Sequence, residues 1–170
     1  MEDAINIRNA KETDIKGITE VSRRSQRTSQ ESGLIQQRTE SEFCKLLGIA
    51  RHFLVAEKGA TIAGYIIILD ESANYNENEI FSFYPLHYQG FVFVDQIAVH
   101  PAYRRAGIAR KLYETCVKSE HKRILLDILI SPRNQDSIAF HEAIGFAPLG
   151  DIIHLKNGME AEVYEYKKKN

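Results

Sequence analysis

The segment from Phe91 to Val117 constrains this chain more than any other. A β-forming run, Phe91 to Val99, stops at His100-Pro101, a basic turn Arg104-Arg105-Ala106-Gly107 follows, and Ile108, Leu112, Tyr113 and Val117 then recur at helical spacing. A strand is thus delivered through a tight turn into a helix. The first N–H groups of that helix have no partner within it and sit at the positive end of its dipole. Gly107 removes the side chain that would obstruct a ligand, and Ala106 and Ala109 keep the surrounding surface low. Arg104, Arg105 and Arg110 add positive charge. Such a corner suits an anionic group, most naturally a phosphate or pyrophosphate. The plainer alternative is a strand–turn–helix with arginines on a wet surface.

Around this segment the chain reads as alternating short strands and helices. Ile5 to Arg8 alternates as a strand, and Thr13-Asp14 precedes a helical stripe of Ile15, Ile18 and Val21. Ser22 to Thr39 is polar, holds Arg23, Arg24, Arg27 and Arg38, and reads as a helix end plus loop. Thr39 or Ser41 caps a second helix through Phe43, Leu46 and Leu47. His52 to Glu57 and Ile62 to Leu69 form a hairpin around Lys58-Gly59-Ala60. Asp70 to Gly90 lacks a period and is rich in aromatics, which predicts a long loop over the substrate or a cluster packed onto the body. Ile124 to Ile130 is a strand interrupted by Asp127, followed by a helix ending at Gly145. Two last strands, Ala147 to Leu155 and Ala161 to Tyr166, are joined at Asn157-Gly158. The pattern predicts an α/β (α+β) domain with mixed pairing.

A chain of 170 residues fits one domain, 1–170, with no repeat and no linker. Its 22 Lys+Arg against 23 Asp+Glu give a net charge of −1, which argues against a dedicated nucleic-acid binder. Two cysteines, Cys44 and Cys116, support neither a disulfide framework nor a cysteine zinc site, so no metal is expected. The acidic start lacks a signal-peptide layout, and no apolar run approaches a membrane span, so the expected location is the cytoplasm, with no membrane partner.

Two motifs narrow the ligand. Arg104, Gly107 and Ala109 form Arg-x-x-Gly-x-Ala shortly after I-A-V-H-P, and Asn134 to Phe146 reads N-Q-D-S-I-A-F-H-E-A-I-G-F. In that order, with one helix and one strand between them, they resemble the GCN5-related N-acetyltransferase (GNAT) superfamily. The resemblance implies a mixed, mostly antiparallel central sheet with splayed parallel fourth and fifth strands, flanked by about four helices. It implies acetyl-coenzyme A as cosubstrate. Backbone groups of Ile97, Ala98 and Val99 would pair with the pantetheine arm as an added strand does. The amides from Arg105 through Ala106, Gly107, Ile108 and Ala109 to Arg110, beside Arg104, would hold the pyrophosphate. Asn134 would meet the pantetheine or phosphate region, cap its helix, or do both.

The implied chemistry is direct attack of a primary amine on the thioester, with a strand amide such as that of Val99 stabilising the oxyanion. His141 stands where relatives often carry a tyrosine acid. It serves as acid, hydrogen-bonds the sulfur, or else faces solvent or packs in its helix. As base, Asp95 shares a strand face with Ile97 and Val99, or else it pairs with a neighbouring arginine or lies at a strand edge. Asp127, Glu142 and water compete for that role, and His100 reads as a turn residue. The acceptor is a small metabolite or a peptide amine, with the metabolite preferred, and dimers are common among such relatives. A non-catalytic acyl-coenzyme A sensor and an interaction module on the same fold are the rival readings.

Overall fold

The computed structural model describes residues 4–26 and 36–167. In chain order its main elements are β1 (Ile5–Asn9), α1 (Ile15–Arg24), α2 (Glu40–Ile49), β2 (His52–Lys58), β3 (Thr61–Asp70), α3 (Glu79–His87), β4 (Phe91–Val99), α4 (Ile108–Val117), β5 (Arg123–Ser131), α5 (Gln135–Ile144), β6 (Phe146–His154) and β7 (Glu160–Tyr166). The strands follow one another in the sheet as β1-β2-β3-β4-β5-β7-β6. Only the β4–β5 pair is shown parallel, Phe91–Phe93 lying beside Arg123–Leu125. The backbone divides into two compact units, Met1–Leu69 with Asp95–Glu120, and Asp70–Val94 with His121–Asn170. β4 runs from the second into the first.

In the first unit β1, β2 and β3 form an antiparallel ladder. Helix α1 buries Ile15, Ile18 and Val21, one every third residue, as its apolar stripe requires. Thr39 opens α2 with a reciprocal cap: its Oγ1 accepts from the Glu42 N–H at 3.2 Å, and the Glu42 carboxylate accepts from the Thr39 N–H at 2.7 Å. That cap directs Phe43 inward, where its ring meets Tyr65 edge to face at 5.7 Å. Arg38, one residue earlier, is buried, although it lies in a polar run that reads as a helix end plus loop.

The second unit carries the antiparallel pairs β5–β7 and β6–β7, the latter closed at Asn157-Gly158. The aperiodic aromatic stretch, expected as a loop or packed cluster, holds a helix, α3, and the described residues contain five α-helices. Asn78 starts α3 by accepting from the N–H groups of Ile80 and Phe81 at 3.1 and 2.9 Å. Phe81 and Tyr84 are buried, with the Tyr84 ring tilted against that of Phe93 at 4.5 Å. Pro85 lies inside this short helix, and Phe83 and Leu86 lie outside its core face, which blurs the helical period. The aromatics therefore pack the segment onto its own unit. Among the described residues, no helix is long and apolar enough to cross a membrane.

Gly64 sets the approach of β3 to the part of β4 in the first unit. A Cβ there would lie 2.9 Å from the Ala98 carbonyl oxygen, 3.1 Å from Ile108 Cγ2 and 3.3 Å from Val99 Cγ2. The nearest of these atoms is backbone and cannot swing aside. Gly64→Ala is therefore expected to destabilise the chain by about 1–3 kcal/mol through overpacking. Urea denaturation measures this; an unchanged midpoint would mean that the two strands part freely.

Candidate functional site

In the first unit the site begins at the end of β4. The His100 N–H donates to the Ala63 carbonyl at 2.9 Å. Main-chain groups alternate sides along a strand, so Ala98 shares that direction with His100, while the polar groups of Ile97 and Val99 face the opposite edge. Ala98 is buried, and Ile97 and Val99 are half-buried.

A single turn of 3-10 helix, Pro101–Tyr103, follows, and His100 Nδ1 accepts from the Ala102 N–H at 3.2 Å. His100 is thus a turn residue, as its place before proline suggests. The backbone then takes two left-handed residues with Ala106 between them, Arg105 at φ 63° and Gly107 at φ 73°. Arg105 is the one described non-glycine residue with positive φ, a conformation that costs a residue with a Cβ about 1–2 kcal/mol. Turns of this kind gather successive N–H groups into an anion-binding concavity. Gly107 caps α4 with no side-chain hydrogen bond, and a Cβ at Gly107 would meet nothing within 4 Å. The corner is open, and the first amides of α4, from Ile108 through Ala109 to Arg110, lack partners inside the helix. Ile108 is buried and anchors the turn, while Arg105, Ala106 and Arg110 are exposed. Arg104 has a bracing role as well: its Nη2 donates to the Ser25 carbonyl at the end of α1 at 2.8 Å.

Asp95 enters the same unit from β4 and meets Arg38. Nη2 of Arg38 lies 3.1 Å from Oδ1, to which it donates, and 3.0 Å from Oδ2. Each side chain is 2% exposed. Burial pushes the Asp95 carboxyl up to about 6, against the opposing pull of Arg38. Removing one partner from such a pair costs about 3–5 kcal/mol, whereas replacing both with apolar groups is often neutral. Beside it, Tyr65 donates to Gln96 Oε1 at 2.7 Å, and Gln96 Nε2 donates to the Gln36 carbonyl at 2.9 Å. Sequence reasoning left pairing of Asp95 with an arginine open, but it did not single out Arg38, Tyr65, Gln96 or the Gln36 carbonyl; the readable signal was the adjacent polar pair Asp95-Gln96 in a strand whose other residues are apolar.

The second unit holds Asn134 and His141. Asn134 caps α5, its Oδ1 accepting from the Ser137 N–H at 3.2 Å. His141 is buried, with its ring edge-on to Phe140 and Phe146 at 5.1 and 5.4 Å. Its Nδ1 lies 2.7 Å from the Ser137 carbonyl oxygen and 3.1 Å from Ser137 Oγ, and the carbonyl requires an N–H at Nδ1. Burial pushes the imidazole down to about 4, with the Ser137 carbonyl pulling the other way. It is neutral near pH 7. Asp127 accepts from the buried Tyr84 hydroxyl at 3.4 Å, and Glu142 is exposed. Among the described residues, no group of His, Cys, Asp and Glu could hold a metal ion.

The sequence matches the Acetyltransferase (GNAT) family model over residues 18–146. No curated protein matches it. Solved structures share the fold. The ribosomal-protein-S18-alanine N-acetyltransferase of Escherichia coli superposes with a TM-score of 0.69 at 18% identity, covering 96% of this chain and 93% of its own. The Salmonella typhimurium protein yncA, solved with its cofactor acetyl-CoA, gives 0.65 at 20% identity, covering 98% and 95%. An N-acetyltransferase from Staphylococcus aureus Mu50 gives 0.67 at 18%, covering 98% and 99%.

The environment of His141 yields a pH test. A histidine held neutral contributes stability that is complete above its unfolded value, about 6.5, and is lost as pH falls toward 4; the loss is about 3 kcal/mol. Asp95, raised by burial, contributes with the opposite sign on the same acid side. The comparison of wild type with His141→Asn, which keeps an N–H for Ser137, isolates the histidine. Denaturation between pH 7 and 4 is expected to cost wild type about 3 kcal/mol more than the variant. Parallel curves would contradict this placement.

Proposed function

The chain belongs to the acetyltransferase (GNAT) family, and from that premise we propose that it transfers an acetyl group from acetyl-coenzyme A to a primary amine. We read residues 1–170 as one acetyltransferase domain for that task. The observation that carries the proposal is the open corner at Arg105–Gly107, where two left-handed residues precede uncapped amides of α4. In this reading those amides and the adjacent arginines receive the diphosphate of the cosubstrate. The outward main-chain groups of Ile97 and Val99 receive its pantetheine arm and thioester.

The amine attacks the thioester carbonyl directly. A C–N bond forms, the carbonyl π electrons move to oxygen, and the Val99 N–H stabilises the oxyanion. Collapse breaks the C–S bond and releases the thiolate, whose conjugate acid has a reference value near 8.5 and needs little acid assistance. Neutral, buried His141 therefore suits holding α5 better than delivering a proton as an imidazolium. The amine loses its proton to solvent, since Asp95 faces Arg38. A small metabolite is preferred as acceptor over a protein or peptide amine, since nothing in the sequence stands out as built for an extended or acidic peptide. A second reading, an acyl-coenzyme A sensor, draws on the burial of His141 at the place of the usual acid.

The test is a thermal shift with acetyl-coenzyme A, followed by thiol release across a panel of amines. Wild type is expected to be stabilised and to release thiol with at least one amine. Gly107→Val, which blocks the corner and strains its positive φ, is expected to weaken cofactor binding at least tenfold. No shift in wild type would overturn the cofactor assignment. A shift without transfer to any amine would overturn the enzymatic one in favour of the sensor.

A further inference from the structure

We propose that the buried Arg38–Asp95 ion pair is a latch that positions the acceptor amine, fixing the chain that enters α2 to the strand that carries Ile97 and Val99. The inference rests on the acetyltransferase reading for the meaning of "acceptor", and on the geometry for the latch itself.

Three consecutive residues before α2 are tied down, each by a different bond. The Gln36 carbonyl accepts from Gln96 on β4 at 2.9 Å. Gln37 Nε2 donates to the Ser22 carbonyl near the end of α1 at 3.1 Å. Arg38 meets Asp95 on β4 at 3.0 Å. The Thr39 cap follows at once, so this anchoring sets where α2 begins. The end of α1 is held in turn by Arg104, from the turn before α4. The entry to α2 and the exit from α1 are therefore fastened to the strand and turn that the cofactor reading uses. An acceptor bound beside them would be aligned with the thioester through these bonds.

The chemistry of the pair favours positioning over proton transfer. A general base must come within hydrogen-bond reach of the proton it removes. Both Asp95 oxygens lie within 3.1 Å of one guanidinium nitrogen, and the side chain is 2% exposed. A buried pair of charges also contributes little net stability over an apolar pair of the same volume, but it specifies one register, where apolar contacts can slide. Arg38 and Asp95 are positioning residues, acting through the backbone they hold.

The experiment compares wild type, Arg38→Met, Asp95→Asn and the double variant Arg38→Met/Asp95→Leu. Three properties are read: acetyl-coenzyme A affinity, amine kinetics against pH, and hydrogen exchange at residues 36–47. Each single variant is expected to raise KM for the amine at least tenfold and to speed exchange at 36–47. Cofactor affinity stays within twofold and the pH profile keeps its midpoint. The double variant, with its apolar pair in the same place, recovers part of both losses and guards against misfolding of the singles. Asp95→Asn that instead lowers kcat a hundredfold and abolishes the rise of rate with pH, unrelieved in the double variant, would overturn the latch and make Asp95 the base. Unchanged KM and unchanged exchange would overturn it also. Exchange needs no turnover, so the latch stands or falls by it even if wild type proves unable to bind acetyl-coenzyme A or acylate any amine, a result that defeats the functional reading alone.

Discussion

The accounting of backbone hydrogen bonds at the end of β4 governs the rest of this structure. A strand that leaves a sheet and becomes a helix must abandon one set of main-chain partners before it acquires the next. Here the interval is short: one turn of 3-10 helix, two left-handed residues and an uncapped helix start. Side-chain caps, water or ligands satisfy the main-chain groups of such an interval. At Gly107 no side chain does, and Arg105 accepts an unfavourable φ to keep the N–H groups converging. Exposed N–H groups at the positive end of a helix are left to water or to an anionic ligand.

Much of this was legible in the residues. The strand stop at His100-Pro101, the basic turn and the amphipathic stripe of α4 are local features, fixed by near neighbours in sequence. So are the Thr39 cap, the Asn134 cap and the turn at Asn157-Gly158. The family resemblance rested on the same local motifs, and the match over residues 18–146 agrees with it. Helix α3 was not legible, because its start depends on Asn78 and its stability on distant Phe91 and Phe93, while Pro85 and outward apolar residues mask its period.

Charge pairing was the least legible of all. Arg38 and Asp95 are 57 positions apart, and nothing near Arg38 separates it from Arg23, which lies exposed beside Glu20 on the face of α1. The distinction is made by burial, which sequence spacing does not report. The same is true of His141. Its place in the motif left acid chemistry, a bond to the sulfur, solvent exposure and packing open, and the helix turns its ring toward Phe140 and Phe146 and its Nδ1 to the Ser137 carbonyl. A single residue's position in a motif fixes where it is, and its surroundings decide which protons it can hold.

The central claim is that the main chain around Gly107 recognises a diphosphate. Titration calorimetry of the intact chain with coenzyme A and with pantetheine, which shares the thiol arm but lacks the diphosphate and nucleotide, tests it most directly. Calorimetry with 3′,5′-adenosine diphosphate, which carries the nucleotide without the diphosphate linkage, completes the comparison. Coenzyme A binding at least a hundredfold more tightly than either fragment would agree with the claim. Pantetheine or the nucleotide alone binding as tightly as coenzyme A would contradict it.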